Sequence, residues 1–223
     1  MVADESKQFA VLTGDIVKSS SLTAAQLESV RECVLGAVEQ ARGWQRGTVK
    51  GRAEFYRGDA WQVLVGEVSR ALRIAVLIRA SLIAQGIADT RISVGLGSVE
   101  NLSRTRVSLS TGQAFVLSGH GLENMSHHCR LSIEAARAEP LAGWLKTAVR
   151  LTDAVISRWK SRQAEIVVAA LSPNEPTHEQ IAQSLSPAIS RQSVSKSLES
   201  ADWPAVQQCL VQFEQTALSE RTT

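Results

Sequence analysis

The sequence predicts an α+β protein: a ferredoxin-like β-α-β-β-α-β unit followed by an all-α region carrying a helix-turn-helix. Three observations predict it. In the first half of the chain, strand-like apolar runs alternate with helical periodicity. Two of those runs are adjacent and joined only by the Arg57-Gly58 turn. From Pro140 onward the apolar residues recur at helical spacing.

The elements follow in order. Phe9 to Val17 reads as a strand. Thr23 opens a helix, with Gln26 completing a capping box. Leu27, Val30, Val34 and Val38 line that helix, which runs out near Gly43. Thr48 to Tyr56 and Ala60 to Val65 are the paired strands. Glu67 to Gln85 is a nearly all-apolar helix and is expected to be buried. Arg91 to Val99 is the next strand, and Asn101 to Ser108 a polar loop. Ser110 to Asn124 reads as loop and then short helix, and His127 to Ile133 as a further strand. Pro140 to Trp159 is helical, with Leu141, Leu145, Ala148, Leu151, Val155 and Trp159 as its apolar stripe. Ser161 to Leu171 is another helix, ended by the Pro- and Asn-bearing break that follows. A boundary near Glu139 divides residues 1–139 from residues 140–223.

This order has a consequence for two Gly-Asp dipeptides, Gly14-Asp15 and Gly58-Asp59. Right-handed crossovers place the third strand between the first and second, antiparallel to both. Asp15 ends the first strand and Asp59 opens the third, so the two carboxylates are expected to be neighbours at one sheet edge. Paired carboxylates with phosphate oxygens are a usual way to hold Mg²⁺. Asp after Gly is also a common turn residue that bonds its own backbone, and both readings stay open. Arg57 is a candidate phosphate contact or a partner for Asp15. Lys18, Ser19, Ser20 and Ser21 follow the first aspartate; they are a phosphate cradle or simply the entry to the first helix.

Bulk composition narrows the class only a little. The chain has 223 residues, 44% of them hydrophobic and 21% charged, which is ordinary globular usage. A formal charge of +2 neither demands nor excludes a nucleic-acid partner. Cys33, Cys129 and Cys209 are odd in number and far apart, as expected of a reducing cytoplasm. No apolar run approaches a membrane span, and the polar start MVADESKQ has no signal-peptide pattern. His127-His128-Cys129 has no second ligand pair at zinc spacing.

Thr177 to Ala201 fits a helix-turn-helix. A Thr177/Gln180 capping box opens the first helix and Ser190 caps the second. Ala182 allows a close crossing, and Ile181, Leu185, Ile189, Val194 and Leu198 fill the space between the helices. The second helix then presents Arg191 and Gln192, which suit base edges, with Ser190, Ser193, Ser195 and Lys196 for phosphates. The connection, containing Pro187, is longer than the tightest versions, and from Lys160 onward acidic residues outnumber basic ones.

The motifs GDIVKSS, GDAWQ and RISVGLG, in that order, resemble the class III nucleotidyl cyclase catalytic domain. The resemblance implies metal ligation by Asp15 and Asp59 with the Ile16 carbonyl, and a bound nucleoside triphosphate. It also implies an Asn and an Arg on a later helix; Val116 and His120 stand near those positions. Without them the charge stabilisation that phosphoryl chemistry needs is reduced. Over nearly its whole length the chain is similar to the SatD family, which adds the segment Trp159 to Gln163 and the core Val194-Ser195-Lys196. That likeness implies a DNA-binding regulator. The expectation is therefore a dimeric transcriptional regulator whose first domain senses a metal-nucleotide; the alternative is a nucleotidyl cyclase or related nucleotidyltransferase.

Overall fold

The computed structural model describes residues 8–56, 58–103, 106–135 and 141–219. Among these, five strands form one sheet: β1 (Phe9–Ile16), β2 (Val49–Tyr56), β3 (Ala60–Val65), β4 (Thr90–Gly97) and β5 (Leu131–Ala135). The helices are α1 (Ala24–Arg42), α2 (Ala71–Gln85), α3 (Gln113–Glu123), α4 (Leu141–Ile156), α5 (Ser161–Ala170), α6 (His178–Ser184), α7 (Arg191–Ser200) and α8 (Trp203–Ser219).

The strand order is β2-β3-β1-β4-β5. As the crossover argument predicts, β3 lies between β1 and β2 and runs antiparallel to both. The register sets Asp15 opposite Ala60, one residue from Asp59. A fifth strand extends this unit, because β5 pairs parallel with β4. It begins at Leu131, later than the predicted His127. The chain turns there, with the Cys129 N–H donating to the Ser126 carbonyl at 2.8 Å and the Arg130 guanidinium to the His127 carbonyl at 2.7 Å.

Alternation along the strands divides the apolar residues between two faces. Ala10, Leu12, Trp61, Val63, Ile92 and Val94 join the main core with α1 and α2. Val11 and Leu64 face the other way, into a smaller cluster with Ala114 of α3. Helix α3 approaches β4 at backbone distance. A Cβ on Gly95 would lie 2.2 Å from the Ala114 carbonyl oxygen, so only glycine fits there.

The main core continues without a break from the sheet into Val149, Ile156, Ile166, Val206 and Leu210 of the helical region. The boundary expected near Glu139 falls outside the described residues. The stripe predicted for α4 is rotated. Its buried residues include Ala142, Val149, Thr152, Asp153 and Ile156, whereas Leu151 is 65% exposed. Leu145, Ala148 and Val155 are half-buried, Trp159 is buried, and the Leu141 side chain lies outside the described residues. Asp153 shares that inward face with Val149 and Ile156, and Arg79 meets it there as its partner. Among the described residues no helix is long and apolar enough to cross a membrane.

Candidate functional site

Two candidate regions emerge, the Asp15–Asp59 sheet edge and the α6–α7 pair. At the edge, the Ile16 N–H donates to the Asp59 carbonyl at 3.3 Å, which zips the end of β1 to the β2–β3 turn. The two carboxylates hold different partners. Asp15 accepts two hydrogen bonds from Arg91, one from Nε at 2.9 Å and one from Nη2. This is a fork-on-fork pair, with side chains 24% and 28% exposed. Hydrogen bonding to Asp15 raises the Arg91 pKa above its ordinary value, against the opposing effect of partial burial. Asp59 accepts from the Ser19 hydroxyl. Ser19 thus ties the start of the first connection to the second aspartate.

Lys18 sits in the left-handed region at φ 55°, exposed, and its carbonyl accepts from Ser21. Ser20 is exposed beside it. Arg57 lies outside the described residues; among those described, the cation on Asp15 is Arg91, the second residue of β4. The Gly58 carbonyl accepts from Arg31 Nε at 3.2 Å, and that guanidinium lies 5.7 Å from the Phe55 ring centre.

A divalent cation needs oxygen donors that are free to turn toward it. Both Asp15 oxygens face Arg91, Asp59 is bonded by Ser19, and among the described residues no group of three His, Cys, Asp or Glu converges on a point. As arranged, this donor set does not fit a resident Mg²⁺. Val116 and His120 are exposed on α3, and neither is a like-for-like replacement for an Asn or Arg.

Behind the edge lies a buried polar hub. Arg79 of α2, fully buried, donates to Asp89 at 2.7 and 3.1 Å and to Asp153 at 2.7 Å. Asp153, also fully buried, accepts from the Arg130 N–H at 3.0 Å and from Arg150 at 2.7 Å. The Asp89 carbonyl accepts from the Val17 N–H, just past Asp15. The Thr90 hydroxyl donates to the Asp15 carbonyl at 2.6 Å and accepts from Trp61 Nε1 at 3.0 Å.

The α6–α7 pair is built as the caps predict. Thr177 and Gln180 close a capping box, and Ser190 Oγ accepts from the Ser193 N–H at 3.1 Å. Ile181, Ala182, Val194 and Leu198 are buried, with Leu185 and Ile189 half-buried beside them. Arg191, Gln192, Ser193, Ser195 and Lys196 are all exposed. Ser190 and Ser193 are occupied with each other at 2.9 Å, so their hydroxyls serve the cap first. Among the described residues, no hydrogen bond or ion pair engages the side chains of Arg191, Gln192, Ser195 or Lys196. Glu179 and Glu199 are exposed on the same helix pair.

No family model and no curated protein match this chain. Among solved structures, the guanylyl cyclase Cya2 is similar at 18% identity, with a TM-score of 0.44, over 60% of this chain and 77% of that one. So distant a likeness carries no argument about function. The resemblance to SatD proteins rests on the order of short motifs alone.

Sequence reasoning singled out Asp15, Asp59 and the α7 residues as candidates and did not single out Arg91 or the Arg79 hub. For Arg91 a signal was present: an Arg at the start of a strand predicted to lie beside the first. For Arg79 the only signal was a charge within an otherwise apolar helix.

Proposed function

We propose that this protein is a DNA-binding regulator that reads DNA through α7, in line with its resemblance to SatD proteins. The observation that carries this reading is the state of α7. Its apolar side is buried against neighbouring helices, while Arg191, Gln192, Ser195 and Lys196 stand exposed and unengaged among the described residues. A structural helix in water gains little from such a row. Arg and Gln at a helix N-terminus match guanine and adenine edges in a major groove, and Lys and Ser match phosphates. With only Arg191 and Lys196 as cations on α7, and an acidic excess from Lys160 onward, one copy neutralises few phosphates, and a symmetric dimer on two half-sites doubles the contacts. The reading assigns no Mg²⁺ or nucleoside triphosphate chemistry to the Asp15 edge.

The test is fluorescence anisotropy with DNA from the protein's own upstream region, titrated at several salt concentrations. Arg191→Ala plus Gln192→Ala is expected to weaken specific binding by roughly tenfold or more, at about 1–3 kcal/mol per base-reading side chain. Unfolding is expected to be unchanged, because both side chains are exposed. Unaltered operator affinity in the double variant would sink the proposal. Mg²⁺-dependent consumption of a nucleoside triphosphate, lost in Asp15→Ala, would replace it with the nucleotidyltransferase reading.

A further inference from the structure

A slot of about 440 Å³ opens between α4 and α8, away from both regions described above. Its walls carry small residues, Ala148 on α4 and Ala205 and Cys209 on α8. Its floor is the protein core itself, Leu96 at the end of β4 and Phe213 of α8, 3% and 6% exposed. Trp144, 71% exposed, stands at the mouth. Gln208 and Gln212, one turn apart on α8, are exposed along the lining, and no side chain engages their amides among the described residues.

We propose that this slot is a binding site for an uncharged, flat, apolar small molecule with a hydrogen-bonding atom at one edge. The chemistry of the lining selects that class. Among the described residues no acid, base or histidine lines the slot, so none of them compensates the desolvation of a charged ligand. An apolar floor combined with a few neutral polar groups is the usual make-up of a small-molecule site, and the volume falls in the usual range. A single exposed indole is suited to stack on a planar ring. The glutamine amides offer both donors and acceptors to a ring heteroatom or carbonyl.

The site also carries its own reporter, because Cys209 lines it. Burial pushes the Cys33 thiol up to about 11, which makes it a slow nucleophile. Cys129 is half-buried in the turn before β5, outside the slot, and serves as an internal control.

The experiment titrates the full chain with 1-aminoanthracene, a neutral planar fluorophore, and follows alkylation of each cysteine by mass spectrometry. The expected result is saturable one-to-one binding that slows Cys209 alkylation at least about fivefold and leaves Cys129 unchanged. Filling the slot with Ala148→Phe or, separately, Cys209→Leu is expected to weaken probe binding about tenfold or more, with unfolding temperatures checking that each variant folds. Three results would overturn the proposal: binding that never saturates, binding indifferent to both folded variants, or Cys209 alkylation that ignores the probe. A fourth would replace it. Trp144 and Leu151 are exposed two turns apart on α4. Cys209 protection that rises with protein concentration and disappears in Trp144→Ser would assign the face to a second copy of the chain.

Discussion

Arg91–Asp15 and Arg79–Asp153 are the same chemical pair in two settings. The first sits at the sheet edge, about a quarter exposed on both sides. The second has both side chains fully buried. Water decides what each is worth. An exposed pair gains little over its hydrated alternatives and is screened by salt. A buried pair recovers its desolvation cost only while both partners remain. The edge pair therefore contributes little to stability, and the hub pair holds α2, α4 and the start of β4 together.

The largest test of that contrast is Arg79→Ala. It strands Asp153 and Asp89 without their main cation and is expected to cost about 3–5 kcal/mol, read by urea unfolding at neutral pH. A loss under about 1 kcal/mol would mean that water enters the hub and that the distinction drawn from burial fails.

A middle-sized test separates packing from charge. Gly95→Ala sets a Cβ against the α3 backbone and is expected to cost about 1–3 kcal/mol without touching either ion pair. Its effect should add to that of Arg91→Ala within about 0.5 kcal/mol, since the sites share no contact.

The smaller tests belong to exposed pairs. A double-mutant cycle on Asp15→Ala and Arg91→Ala is expected to give a coupling of about 0.5–1 kcal/mol that fades at high salt. A salt-independent coupling of several kcal/mol would place the edge with the hub. Glu54 supplies a pH-dependent version. Partial burial raises its pKa, but the Ser108 N–H, Arg106 and the Ser108 hydroxyl outweigh that and bring it below its ordinary 4.5. A carboxyl depressed in the folded state stabilises above its unfolded pKa, and that contribution is lost as pH falls through the folded value. Glu54→Gln is therefore expected to lower stability by less than about 1 kcal/mol at neutral pH, because Arg106 is largely exposed, and to match the parent once the pH is well below 4.5. Thermal unfolding across that range reads the difference; a gap that persists in acid would mean that shape, not charge, is responsible.

These contrasts also separate what was readable in the chain. The capping boxes at Thr23 and Thr177 and the cap at Ser190 were legible, because each is a bond between residues three apart. The placing of Asp15 beside the β2–β3 turn was legible as well, because crossover handedness leaves one strand order. The partner of Asp15 was not, since Arg91 lies 76 residues away and only the β1–β4 register sets it opposite. The α4 stripe missed Asp153 for a related reason: an inward-facing carboxylate needs a partner, and Arg79 lies 74 residues earlier.

Local sequence was enough for the alternating strand and helix order of the first half, the capped helix starts at Thr23, Thr177 and Ser190, and the exposed polar residues of α7, all of which follow from local bonding and hydrophobic period; it did not reveal α8. The three-dimensional packing was needed for which cation neutralises each carboxylate, which face of α4 is buried, and that a slot opens between α4 and α8. Those outcomes depend on groups distant in sequence competing for the same few ångströms, and periodicity carries no record of that competition.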